Sequence, residues 1–115
     1  MRRFLAGSLL ALLVVTAAAG DTVTRDVPAA PGQLLEIRLE TGGGITVTGR
    51  DQRQVSVRVT RNGRDAEDTR VEVRPTSRGV EITSRYETRR KDHSSNLDFQ
   101  VFVPSRFNLD IDSAG

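Results

Sequence analysis

The chain has 115 residues, 17 Lys+Arg against 15 Asp+Glu, one histidine and no cysteine. That is the length of one domain; it excludes a disulfide framework and a thiolate site, and one histidine falls short of the usual zinc set. The net charge of +2 rests on Arg2 and Arg3, without which the count is 15 against 15, so the concentrated basic excess that nucleic-acid binding needs is absent.

The first 20 residues read as a secretory signal. MRR is a basic start, FLAGSLLALLVV an apolar stretch and TAAAG a run of small residues suited to cleavage after Ala19 or Gly20. The apolar stretch is shorter than the about 20 residues of a spanning helix, so no stable membrane span is expected once the signal is cut. Arg2-Arg3-Phe4-Leu5 lacks the spacer of a twin-arginine signal, and without cysteine there is no lipid-attachment point. The expected destination is exported, either periplasmic or at the cell surface and beyond. The mature domain is then 21–115.

From there the apolar residues alternate with polar ones. Leu35, Ile37 and Leu39 alternate with charged residues; Val55, Val57 and Val59 follow, then Val71 and Val73, and Val80 and Ile82. Leu97, Phe99, Val101 and Val103 come next, and finally Leu109 and Ile111. Period-two alternation of this kind marks strands with one buried face. Gly42-Gly43-Gly44, Gly49-Arg50-Asp51, Asn62-Gly63, Pro75 to Gly79 and Pro104 separate the runs. No apolar stripe at helical period follows the signal, and residues 62–69 have room for one helical turn at most. The class is all-β. In the phase of Val80 and Ile82, Ser84 and Tyr86 share the inner face, and RRKDHSSN is expected to close a long hairpin onto LDFQVFV. Phe102 is out of phase with its neighbours and falls on the outer face.

One phrase occurs twice. TGGGITVTGR at 41–50 and TSRGVEITSR at 76–85 match at Thr, Gly, the β-branched pair, Thr and Arg. Each is preceded by a strand-like pair, Ile37-x-Leu39 and Val71-x-Val73, and a third unit opens at Leu109-x-Ile111 and reaches Gly115. Recurrence at a near-constant period predicts a stacked repeat: a β-solenoid or β-helix-like stack of short strands with antiparallel hairpin elements. On that reading the chain stops where a third strand should begin and is the N-terminal portion of a longer array. Were it complete, the repeat would be a coincidence of turns in a small β-sandwich.

Two stretches carry a resemblance. VPAAPGQLLEIRLETGGGITVTGRDQRQVSVRV resembles the opening of the bacterial putative-adhesin domain of unknown function, and LDFQVFVPSRFNLDIDSAG resembles its recurring strand, proline turn and Leu-x-Ile unit. The resemblance covers most of residues 22–115. It implies a β-solenoid in an exported bacterial protein and no catalytic residues. Where the family often has Gly-Asp-Ile at its first corner, this chain has Gly43-Gly44-Ile45, so no acidic role carries over.

Three constellations invite a chemical reading. His93, beside Asp92, Ser94 and Ser95, has no nucleophile elbow to serve and reads as a solvated loop residue. Asp110 and Asp112 point to one side of a strand, about 7 Å apart by two strand rises; alternation alone accounts for them as solvent-face carboxylates. Arg85, Tyr86, Arg89, Arg90 and Lys91 crowd the expected hairpin tip, and this is the candidate contact for an anionic polymer. No cofactor and no metal are expected. The function that follows is a non-catalytic cell-envelope or surface module, adhesin-like in binding or scaffolding, with an envelope polysaccharide or another envelope protein as partner. The alternative is the N-terminal part of an envelope carbohydrate-active enzyme with its acidic site beyond Gly115.

Overall fold

The computed structural model describes residues 15–16, 22–88 and 94–113. Among them run nine strands: β1 (Val15–Thr16), β2 (Thr22–Pro28), β3 (Leu34–Leu39), β4 (Ile45–Arg50), β5 (Gln54–Asn62), β6 (Thr69–Pro75), β7 (Gly79–Tyr86), β8 (Asn96–Pro104) and β9 (Asn108–Ser113). The expected single turn between residues 62 and 69 is a 3-10 turn at Ala66–Asp68. The rest of the segment read as a signal lies outside the described residues, as do His93 and the hairpin-tip residues Arg89, Arg90 and Lys91.

Alternation turns into two sheets sharing one core. The order is β1-β2-β5-β8-β4 in a five-stranded sheet and β6-β7-β3-β9 in a four-stranded one. Leu35, Ile37, Leu39, Val80 and Ile82 of the smaller sheet join Val55, Val57, Val59, Leu97, Phe99, Val101 and Val103 of the larger in a single buried cluster. Each aliphatic side chain taken out of water contributes about 1.5–3 kcal/mol. With no disulfide and no tryptophan, these side chains and the ladders between strands hold the domain.

The expected β-solenoid is not what forms. Both sheets are mixed: β1/β2, β2/β5, β5/β8 and β6/β7 pair antiparallel, while β3/β7, β3/β9 and β4/β8 pair parallel. The two copies of the repeated phrase lie in opposite sheets, one in β4 and the other in β7. The third unit, β9, does sit in register beside β3, with Ile37 against Ile111. The second, Val71-x-Val73, is instead the far edge strand β6, antiparallel to β7. A Gly-Φ-x-Φ phrase describes how a strand enters a sheet past a corner, and either sheet accepts it. The predicted long hairpin fails for a related reason. β8 has both sides taken, by β5 and β4, and β7 by β6 and β3, so alternation identified the inner face of each without identifying its neighbour.

Both copies of the phrase enter a parallel seam, but the glycine that makes the close approach in the first is Gly43, one residue before Gly44, the counterpart of Gly79. Gly43, at φ +135°, lies against the backbone of Leu97 where β4 begins to run beside β8. Gly79, at φ +155°, lies against the backbone of Leu34 where β7 joins β3. A Cβ at either position overlaps the neighbouring main chain. Further along, β3 leaves the sheet at Thr41, whose buried hydroxyl shares a 2.7 Å hydrogen bond with that of Ser84. Phe102 faces outward as its phase requires, with the Arg50 guanidinium 3.7 Å from its ring centroid.

Candidate anion-binding cleft

Two arginines break the apolar phase of the core. Along β2, Val23, Arg25 and Val27 share a face, and Val27 is buried. Along β5, Val55, Val57 and Val59 point inward, and Arg61 is the next residue in that phase. Arg25 pairs across the ladder with Val57, a core residue, and Arg61 with Leu97. Both guanidinium groups are therefore directed into the space between the sheets rather than into solvent.

β6 of the other sheet faces them across a cleft of about 490 Å³. Its inner wall is Thr69, Val71 and the two arginines, with Arg70, Glu67, Glu72 and Glu87 around the mouth. Arg61 donates from Nη1 to the carbonyl oxygen of Thr69 at 3.3 Å, and the Thr69 hydroxyl donates to Ala66 O at 2.6 Å, which ties the wall to the 3-10 turn. Arg70 is engaged at the rim by Glu72 at 3.2 Å and Glu87 at 3.1 Å. Its guanidinium is held above its ordinary value by the hydrogen bond to Glu87 first and that to Glu72 second, so it stays charged throughout the physiological range.

Arg25 differs. It is half-buried, and its Nε is fully shielded with no hydrogen-bond partner. A buried donor left unsatisfied costs about 1–3 kcal/mol, more beside a charge. The Nε edge of a guanidinium presents two parallel N–H donors suited to a carboxylate or phosphate. Arg25 lines the cleft, so an anionic group there meets its guanidinium charge and reaches the shielded Nε edge once the side chain turns.

A direct consequence is measurable without any ligand. Arg25→Met keeps the aliphatic stem and removes the orphan donor, so in anion-free buffer the variant should gain about 1 kcal/mol. Urea unfolding followed by far-ultraviolet circular dichroism checks this; a loss of comparable size would mean that Arg25 is already satisfied within the fold.

Of the hairpin-tip residues singled out in the sequence, only Arg85 and Tyr86 lie among the described residues. Arg85 and Tyr86 are consecutive on β7 and so face opposite ways: Arg85 is exposed, and Tyr86 turns inward with its hydroxyl 2.7 Å from that of Ser95. Asp110 and Asp112 are exposed on β9, with Asp110 2.9 Å from Arg38. Among the described residues no group of three or more His, Cys, Asp or Glu is arranged to hold a metal ion. Arg25 and Arg61 were missed by sequence reasoning, yet a trace was present. Both stand where strict alternation calls for an aliphatic residue.

No family model, no curated protein and no solved structure matches the chain. Among the described residues no helix is long and apolar enough to cross a membrane.

Proposed function

We propose that this chain is an exported, non-catalytic binding module of the cell envelope, and that the cleft between β2, β5 and β6 takes an anionic group of its ligand. The observation that carries the reading is the buried, unpartnered Nε of Arg25 on the inner face of β2. An arginine in a core phase costs stability, and binding of a carboxylate or phosphate recovers it. Export rests on the layout of residues 1–20, and the surface role on the resemblance to the putative-adhesin domain. Of the polymer contact expected at Arg85, Tyr86, Arg89, Arg90 and Lys91, Arg85 and Tyr86 do not share a face and the others lie outside the described residues, which leaves the cleft as the anion contact that the geometry supports.

The test is a calorimetric titration of the whole chain with oligogalacturonate and with inorganic pyrophosphate, using neutral dextran as the control. Binding to at least one anion, weakened at least tenfold by Arg25→Met and unaffected by Arg85→Ala, is the expected result. A tenfold loss is about 1.4 kcal/mol, within the range for one charge-assisted hydrogen bond. Equal binding by wild type and Arg25→Met would remove the cleft from consideration.

A further inference from the structure

The cleft between β2, β5 and β6 is lined by both signs of charge, and the two are kept apart. Arg25 and Arg61 stand on its inner wall, while Glu67, Glu72 and Glu87 stand around its mouth with Arg70. One guanidinium, that of Arg70, serves two of the mouth carboxylates, Glu72 at 3.2 Å and Glu87 at 3.1 Å. That group therefore keeps a net negative charge. Glu67 adds another, carried by the 3-10 turn and exposed to solvent. In formal charge the wall is positive and the mouth negative.

Arg25 and Glu67 differ from the other charged residues of the cleft. Both line it, yet neither has an ion pair among the described residues, with each other or with a third group. Each is a charge without a counter-charge in a partly enclosed space, where an opposite charge counts for more than in open water. The aliphatic part of the lining is Val23 of β2 and Val71 of β6, both half-buried.

We propose that the cleft takes a small zwitterion. Its oxyanion meets Arg25 on the inner wall, its ammonium group meets Glu67 and the other carboxylates at the mouth, and a short aliphatic stretch between them lies against Val23 and Val71. This rests on the anion-binding reading of the cleft and narrows it. A ligand that is anionic throughout gains at Arg25 and loses at the mouth, where it passes three carboxylates against one arginine. A ligand whose outer end is cationic gains at both. The space of about 490 Å³ lies within the about 300–1,000 Å³ of small-molecule sites, so it holds a whole molecule of amino-acid size.

Calorimetric titration of the whole chain in low-salt buffer tests this with pairs of compounds that differ only in the ammonium group. β-Alanine, γ-aminobutyrate and ε-aminocaproate are set against propionate, butyrate and caproate. O-phosphoethanolamine is set against ethyl phosphate, which separates carboxylate from phosphate as the anionic end. At least one zwitterion is expected to bind about fivefold tighter than its ammonium-free counterpart, a difference of about 1 kcal/mol. Glu67 is exposed, so Glu67→Gln leaves the core intact, and it should remove most of that advantage while tightening the ammonium-free compound. Arg25→Met should weaken both members of the pair. Counterparts that bind as tightly as their zwitterions, or an advantage that survives Glu67→Gln, overturn the zwitterion and leave the anion reading standing. So does binding of pyrophosphate with none of these compounds. If nothing binds, or Arg25→Met changes nothing, the cleft fails as a site and the zwitterion fails with it.

Discussion

Val57→Asp abolishes cooperative unfolding near room temperature. Val57 is 1% exposed, lies at the centre of β5 and is flanked in register by Arg25 on one side and Val101 on the other. An aspartate there must shed its water within the core or take up a proton, at a cost of several kcal/mol. Arg25, directly opposite on the same face, can pair with the new carboxylate, but the pair sits in the core, where desolvation of both charges leaves a net cost. A domain of this size has about 5–15 kcal/mol of stability in all, so a loss of about 4 kcal/mol or more leaves it unfolded or nearly so. Far-ultraviolet circular dichroism against temperature reads the result, with Val57→Thr as a shape-conserving control that keeps a cooperative transition. A Val57→Asp melt superimposed on wild type would show that the two sheets do not close over this position.

The second large effect belongs to Gly79. Its Cα faces the main chain of Leu34 so closely that an added Cβ overlaps the carbonyl oxygen, and the backbone there is at φ +155°. Nothing at that point is a flexible side chain, so relief requires β7 and β3 to part. Parting them uncovers Leu35, Ile37, Val80 and Ile82, all fully buried. Gly79→Ala is therefore expected to lose about 3 kcal/mol or more. Gly32→Ala separates the two contributions, because Gly32 has φ +89° but open space where the Cβ would go. That variant should lose only the about 1–2 kcal/mol of a left-handed backbone. Equal losses in urea melts of the two variants would mean that the β3/β7 seam yields and that the close approach is not what selects glycine.

These two positions also mark how far the sequence can be read. Val57 is legible, because it is the middle of a Val-x-Val-x-Val run and buried by any reading of that run. Gly79 is legible as special, because it recurs at the corner of a repeated phrase, but its purpose is not. The phrase invites stacking of equivalent coils, whereas the structure uses it to bring one strand alongside a parallel partner in each of two different sheets. The two aligned glycines do not share a conformation, since Gly79 stands at φ +155° and Gly44 has no positive φ, and the partner of each strand is chosen by burial over the whole core. The same gap explains the mistaken hairpin: β7 and β8 are consecutive strands with matched apolar phase, but pairing them would leave β3 and β5 each without a neighbour they have in the fold.

The site shows the converse. Arg85, Tyr86, Arg89, Arg90 and Lys91 draw attention because they are adjacent in sequence, yet adjacency on a strand puts Arg85 and Tyr86 on opposite faces. Arg25 and Arg61 are 36 residues apart and become cleft neighbours only when β2 pairs with β5 and β6 closes over them. Likewise the cross-strand ion pairs on the smaller sheet, Arg38 with Asp110 and Arg78 with Glu36, exist only once its strand order is known. By itself the sequence determined the all-β class and the inner faces of the alternating strands from β3 onward, because period two is a property of one chain segment and the solvent it meets; the inner face of β2 was not read from it. Which strands are neighbours, which edges stay open and which charges meet were decided only by tertiary structure, because those depend on burying every inner face at once.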